Sequence, residues 1–394
     1  MPYAASCSRT ADSRQALDQV CRDVALQLQG QTPDISFLFA SRHHFDCWDE
    51  IVESIQDTTG SRHILGCIGE SIAGGRHEIE KGPAFSLWSA VLPGAQIDSF
   101  QINFEPTPDG PICHGLPEPP DDTADVRCVL LLADPYSCAI DTLISRLEDD
   151  LPGVPLIGGM ASGGAGPQEN RLLINERGMV GGAVAAILRG GPQVHSIVSQ
   201  GCRPIGSTFI VTKVEKNVIL ELGGKSALSR LEQTYAGLSE EDRLLIRKGL
   251  HVGIAMDEFK QTFSRGDFLI SNVLGADRES GAVAIGNFVR TGQTVQFHVR
   301  DADTADEDLR QLLAAQSQLV AGRPKGALLF SCNGRGTQLF PQPDHDTGVI
   351  QELCGPLPLA GFFAQGELGP VGNRNYIHGF TASIALFEDG APAG

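Results

Sequence analysis

The chain has 394 residues, with 48 acidic and 30 basic side chains, a net charge of −18 and a pI near 4.9. A surface of that sign repels phosphate backbones and anionic membranes, and no Lys/Arg cluster interrupts it, so nucleic acid and membrane are poor partners. Hydrophobic residues at 41% and charged residues at 20% describe an ordinary globular protein, long enough for two or three domains.

The opening residues, MPYAASCSRTADSRQALDQV, hold no apolar core of signal-peptide length, and no later run approaches transmembrane length. The expected location is therefore the cytoplasm. None of the ten cysteines forms C-x-x-C, and none of the ten histidines falls in H-E-x-x-H. In a reducing compartment these cysteines read mostly as buried thiols, and no metal or other cofactor is expected.

Three segments resemble one another in chain order. The first runs FLFAS (37–41), ILGCIGE (64–70) and SLWSAVLPG (86–94). The second runs LLLAD (130–134), LIGGMAS (156–162) and GAVAAILRG (182–190). The third runs LLFSC (328–332), LAGFFAQGE (359–367) and TASIALFED (381–389). Ser41, Asp134 and Cys332 lie 24 to 29 positions before Gly66, Gly158 and Gly361, which lie 24 to 28 positions before Ala90, Ala186 and Ala385. Each segment reads as strand, helix, strand, strand. Helix 49–60 has Ile51, Val52 and Ile55 at helical spacing and Gly60 to close it; helix 136–153 has the stripe Ile140, Leu143, Ile144 and Leu147. The acidic, Pro-rich segment 105–123 reads as a surface loop.

Between the second and third segments the pattern changes. Residues 206–224 alternate around Lys216-Asn217, a hairpin signal, and 225–237 read as a helix closed by Gly237. Residues 267–301 read as short strands with glycine turns. Residues 304–322 read as a helix capped by Thr304 and ended by Gly322. The fold class is thus α/β: two mixed α/β domains, 1–222 and 223–394, built from repeated β-α-β-β units, with an antiparallel strand-rich insert in the C-terminal half.

Chemistry is concentrated at GALLFSCNGRGTQLF (326–340). Cys332 could be a nucleophile if a base or positive charge favoured its thiolate, with His345 or His378 as partner; it also reads as a thiol at a strand end. Arg335 between Gly334 and Gly336 could clamp an anion with Asn333 and backbone N–H groups, or pair with a structural carboxylate. In LAGFFAQGELGPVG, Glu367 follows Gln365 and Gly366 in an apolar neighbourhood. If buried it needs a partner, Arg335 being the obvious one, or it receives an amine. Glu70 occupies the similar place in the first segment. His378, Cys67, Arg203 and Arg300 are further candidates to line a cleft, though His378 reads first as a satisfied structural residue and Arg203 and Arg300 as structural ion pairs. The stretch GGMASGGAG (158–166) lacks the G-K-[ST] of a phosphate loop.

LLFSCNGRG, LAGFFAQGELGPVG and IHGFTASIALF resemble the C-terminal part of the FIST family. ILGCIGESIAGG, LIGGMASGG and VSQGCRPIGSTFIVTKVEKNVILEL resemble its N-terminal part. The resemblance spans residues 20 to 388. It implies a sensory or signal-transduction module that binds a small ligand such as an amino acid. No F-box-sized segment precedes residue 37 and no kinase, cyclase or DNA-binding segment accompanies it, so a protein partner is expected to carry the output. The sequence thus points to a ligand-binding sensor. In it, Cys332, Asn333, Arg335, Gly336, Gln365, Gly366, Glu367 and His378 face a small carboxylate or amino acid, and Cys67, Glu70, Arg203 and Arg300 are secondary. Arg335→Ala is expected to abolish binding without unfolding. The alternatives are an enzyme using Cys332 and a protein-interaction scaffold without a ligand.

Overall fold

The computed structural model describes residues 2–120, 122–260, 262–263, 266–319 and 323–388. It divides into two compact units, the first Met1–Val198, Leu309–Ile377 and Thr381–Gly394, the second Ser199–Asp308 and His378–Phe380. Gly322, expected to end a helix, lies outside the described residues.

In chain order the first unit begins with β1 (Tyr3–Ser8), α1 (Ser13–Gln27), β2 (Ile35–Ser41), α2 (Trp48–Thr59), β3 (His63–Gly69), β4 (Ile72–Gly74), β5 (His77–Ile79) and β6 (Phe85–Ala90). There follow β7 (Ala95–Thr107), β8 (Gly110–His114), β9 (Val126–Ala133), α3 (Ile140–Asp150), β10 (Leu156–Met160), β11 (Leu172–Ile174), β12 (Arg177–Met179), β13 (Ala183–Gly190) and β14 (Val194–Gln200). The second unit holds β15 (Cys202–Glu215), β16 (Val218–Leu222), β17 (Lys225–Ser226), α4 (Ala227–Ala236), α5 (Glu240–Lys248), β18 (Leu250–Ala255), β19 (Phe268–Ala276), β20 (Val283–Ile285) and β21 (Thr294–Arg300). The chain then passes through α6 (Ala302–Leu319) to β22 (Gly326–Cys332), α7 (His345–Leu353), β23 (Leu359–Ala364), β24 (Glu367–Val371), β25 (Arg374–His378) and β26 (Thr381–Phe387).

Among the described residues the first unit contains three sheets, each built on one parallel pair: β2 with β3, β9 with β10, and β22 with β23. An antiparallel strand flanks each pair, namely β6, β13 and β26. The other flank is occupied by a hairpin from a different segment. β4–β5 joins β23, β11–β12 joins β3, and β24–β25 joins β10. The hairpins fall between the second and third strands of each segment, where the apolar pattern alone predicts a direct passage from strand to strand. They are short, and two of them carry glycine doublets or Pro-Val-Gly turns that look like loops until their distant partner strand is known.

Period-two alternation explains why the central strands read as continuous apolar runs. Phe37 and Phe39, Leu130 and Leu132, and Leu328 and Phe330 enter one core shared by the three sheets. Phe39 meets Phe330 edge-on at 6.2 Å and Phe362 at 5.2 Å. The intervening residues face helices: Leu38 and Ala40 meet α1 and α2, Leu131 and Ala133 meet α3, and Ala327 and Leu329 meet α6 and α7. Each such side chain contributes about 1.5–3 kcal/mol on burial when it is the size of Leu or Phe.

Gly66, Gly158 and Gly361 have one shared physical cause. Each sits in the second strand of a parallel pair opposite Leu38, Leu131 and Leu329 respectively. A Cβ there would lie 2.4, 1.8 and 1.9 Å from the carbonyl oxygen of that leucine. Only a residue without Cβ permits so close an approach of two backbones.

Some local expectations shift. α6 starts at Ala302 rather than after Thr304, and its cap is Asp301, whose Oδ1 accepts the Asp303 N–H at 3.1 Å. The Pro-rich segment is in part a hairpin, because β7 runs on to Thr107 and pairs with β8 around Pro108-Asp109. In the second unit the strands are antiparallel in the order β15-β21-β18-β19-β20-β16-β17, and β15 also pairs with β16 to close a barrel-like sheet. Lys216, at φ +56°, makes the expected hairpin turn between those two strands. No helix of the described residues is long and apolar enough to cross a membrane.

Candidate ligand-binding site

Open α/β sheets present loops, and with them ligands, at the carboxyl ends of their parallel strands. β22 ends on Cys332, and the loop after it carries Asn333, Gly334, Arg335 and Gly336; the connection after β23 carries Gln365 and Gly366 and leads into Glu367, the first residue of β24. The structure brings these two stretches together, the Asn333 N–H donating to the Ala364 carbonyl at 3.0 Å. Gly336 has φ +56°, and a Cβ there would meet Glu80 Oε1 at 2.7 Å and the Phe363 ring at 2.8 Å, so the loop turns here only with glycine. The Thr337 N–H and hydroxyl donate to Glu80 at 2.9 and 2.6 Å, tying the loop to the residue after β5.

Arg335 is wholly buried. Its Nε donates to Oδ2 of Asp346 at 2.7 Å and its Nη2 to Oδ1 at 2.8 Å. Ser331 Oγ also donates to Oδ2 at 2.8 Å, and Nδ1 of His345 lies 2.9 Å from Oδ1. The His345 ring stacks on Phe340 at 3.4 Å, and the guanidinium carbon lies 5.2 Å from the Phe340 centroid. The ion pair of Arg335 is therefore with Asp346, not with Glu367. Burial alone would raise the Asp346 carboxyl, but the facing guanidinium and its hydrogen bonds, with His345, more than reverse this and hold it well below the usual carboxylate range.

Two further carboxyls are buried beside this pair. Glu367 is wholly buried, its Oε2 accepting from the Thr381 N–H at 3.1 Å and hydroxyl at 2.9 Å. Desolvation raises its pKa to about 8, opposed by the Thr381 bonds and by Arg335. Glu78, on β5, is 5% exposed, and its Oε1 accepts the Thr347 N–H in the first turn of α7 at 2.9 Å. Desolvation, then repulsion from Asp346, raises it to about 8 against the pull of Thr347 and Arg335. Four buried polar atoms of this neighbourhood have no hydrogen-bond partner among the described residues: Arg335 Nη1, Asn333 Oδ1, Glu78 Oε2 and Glu367 Oε1.

The corresponding end of β9 contrasts with this. There the buried Asp134 accepts from Asn170 Nδ2 at 2.9 Å and Ser137 Oγ at 2.6 Å, and Asn170 Oδ1 accepts the Gly164 N–H at 2.8 Å. That cluster closes on itself. The cluster at β22 does not, although leaving a buried polar group unpaired costs about 1–3 kcal/mol.

The remaining sequence candidates are placed as follows. Gln365 is exposed and its N–H donates to the Met160 carbonyl at 3.0 Å, while Gly366 accepts the Met160 N–H at 2.9 Å. Glu70 is not the counterpart of Glu367: it is the first residue after β3 and exposed, whereas Glu367 is the third after β23, opens β24 and is buried. Its N–H donates to Ser162 Oγ at 2.9 Å. Cys67 faces the shared core, and burial pushes its thiol well up. His378, Arg203 and Arg300 belong to the second unit. His378 is buried there. Arg203 pairs with Asp301 at 2.5 Å and with Asp242, and Arg300 lies 5.1 Å over the Phe380 ring. Sequence reasoning missed Asp346, Glu78 and Thr381, and the one available signal was the acidic residue opening the short apolar helix after the glycine loop.

Three helix-backed sheets around one core, carrying an incompletely paired polar cluster at the end of a parallel pair, and a closed antiparallel sheet, define a two-unit mixed α/β protein. The chain belongs to the FIST family: residues 34–225 match the FIST N domain and residues 227–370 the FIST C domain. FIST domains are sensory and signal-transduction modules. The chain is 42% identical over 390 residues to the uncharacterized protein Rv0628c of Mycobacterium tuberculosis, covering 99% of this chain and 100% of that one. It is likewise 42% identical over 381 residues to the uncharacterized protein Mb0898c of Mycobacterium bovis, covering 96% and 97%.

Proposed function

We propose that the protein is a cytoplasmic small-ligand sensor whose ligand is a small carboxylate or amino acid, held at the carboxyl ends of β22 and β23. The observation that carries this reading is the set of four buried, unpartnered polar atoms on Arg335, Asn333, Glu78 and Glu367. A fixed guanidinium donor beside carboxyls and an amide is the donor–acceptor set that recognises a zwitterion. Arg335 Nη1 takes the ligand's carboxylate and Glu367 its amine. Output passes to a protein partner, and the acidic surface disfavours nucleic acid in that role.

The test is native mass spectrometry of gently purified protein, repeated on Asn333→Ala and Glu367→Gln. A discrete small adduct in the wild type, lost or weakened in both variants while their melting temperatures stay near wild type, is the expected result. A bare chain together with no thermal shift from any amino acid or small carboxylate overturns it.

A further inference from the structure

The hairpin β4–β5 belongs by sequence to the FIST N part, yet it pairs with β23 of the FIST C part. It carries Glu78 to the Arg335 loop. The Glu78 N–H donates to Asp344 Oδ1 at 2.6 Å and its Oε1 accepts from Thr347, so both ends of the residue are fixed. Oε2 alone is left over. We propose that Glu78 is a recognition carboxyl of the ligand site, and that with Glu367 it receives the ligand's ammonium group, a proton leaving the carboxyl pair for solvent as the ammonium seats. This rests on the small-ligand reading above and adds to it a residue and a proton balance.

Counting atoms supports an amine. The unpartnered set has one donor, Arg335 Nη1, and three oxygens, on Asn333, Glu78 and Glu367. A primary ammonium brings three N–H groups, and the carboxylate of an amino acid brings the acceptor that Nη1 lacks. Counting charge agrees. Arg335 and Asp346 neutralise each other, and the groups facing Glu78 are Arg335 from the loop, Asp344 just before α7 and Asp346 in its first turn. Those facing Glu367 are Arg335, the Thr381 donors and the backbone N–H of Gly366. With both acids raised to about 8, each is mainly neutral near pH 7. Each proton then sits on the oxygen that accepts nothing, since Glu78 Oε1 and Glu367 Oε2 are already taken by N–H and O–H donors. Bringing a cation to those oxygens favours the ionised form, so an O–H bond breaks, the proton goes to buffer and the carboxylate keeps the electron pair.

The experiment uses the full chain. The twenty L-amino acids, with propionate and propylamine as carboxylate-only and amine-only probes, are screened by thermal shift at pH 6.5 and 8.5. Each hit is then titrated by calorimetry in phosphate and in Tris, whose different ionisation heats report protons released. Expected are an amino-acid hit bound more tightly at pH 8.5 than at 6.5, proton release at pH 6.5 that fades above pH 8, and loss of both with an affinity drop of about tenfold in Glu78→Gln. The amide retains the oxygen that accepts from Thr347, and Glu367→Gln provides a second variant with the Thr381 bonds retained. Binding with no proton release, unchanged in Glu78→Gln, or equally tight propionate overturns this inference and leaves the small-ligand reading standing. No shift by any probe in the wild type overturns both.

Discussion

Arg335 and Asp346 lie eleven residues apart and meet as two parallel N–H···O bonds of 2.7 and 2.8 Å, both side chains wholly out of water. The pair couples the glycine loop to the first turn of α7. It also changes what a mutation at Arg335 reports, since removing the guanidinium strands a buried carboxylate.

Arg335→Ala is therefore expected to destabilise the protein by about 3–5 kcal/mol rather than to abolish binding silently. Asp346→Asn should cost a similar amount, because it strands the wholly buried guanidinium, which cannot shed its proton, and its amide nitrogen meets one of the two N–H donors. Urea denaturation of both variants measures this. A change of only a few tenths of a kcal/mol at Arg335 would contradict the buried pair.

Glu78 and Glu367 give stability a pH dependence of definite sign. Their folded pKa values, about 8, lie above the ordinary carboxyl value, so between roughly pH 4.5 and pH 8 the folded state binds more protons than the unfolded one. Their contribution is fully present at the acid end of that window and is lost as pH rises through 8. Asp346 acts oppositely, its contribution being lost as pH falls below the usual carboxylate range. Midpoints measured at pH 5, 6.5 and 8 should fall more steeply in the wild type than in Glu367→Gln; parallel slopes would refute the assignment.

Gly361→Ala is expected to cost about 1–3 kcal/mol or more, because the new methyl would lie 1.9 Å from the Leu329 carbonyl and the strands must separate. Gly348→Ala offers the control. Gly348 is inside α7 with nothing within 4 Å of its Cβ position, so the same chemical change should stabilise by up to about 1 kcal/mol. Opposite signs in thermal melts of the two variants are the outcome to look for.

The thiols should separate by burial. Cys67 is wholly enclosed with its pKa pushed well up, and Cys128 is pushed up to about 12 by the same desolvation. Alkylation at pH 7.5 followed by peptide mapping should leave both unmodified in the native protein and modify both in denaturant. Native labelling of either would mean that the shared core opens.

The strands with glycine-marked partners were legible because two constraints wrote themselves into adjacent residues. Burial on both faces made the runs apolar, and backbone approach demanded Gly66, Gly158 and Gly361. The hairpins were not legible, since β4–β5 finds its partner some 290 residues away and three-residue strands carry little pattern. Arg335, Asn333 and Glu367 stood out as polar residues among glycines. Asp346 and Glu78 did not, because PDHDTG and GRHEIEKG look like solvated turns until the fold closes over them. The match of Glu70 to Glu367 failed because two shared letters, Gly-Glu, sat at different distances from their strand ends.

The exchange of hairpins also constrains synthesis of the chain. As the polypeptide leaves the ribosome, β4–β5 must wait for β23, and the free edge of β10 must wait for β24. The first unit therefore cannot close in the order in which it is made, and a nascent chain stopped at residue 225 carries a homeless hairpin and a bare strand edge. Such edges recruit other chains. Residues 1–225 produced alone should aggregate or engage chaperones, and co-expression with residues 226–394 should return them to solution.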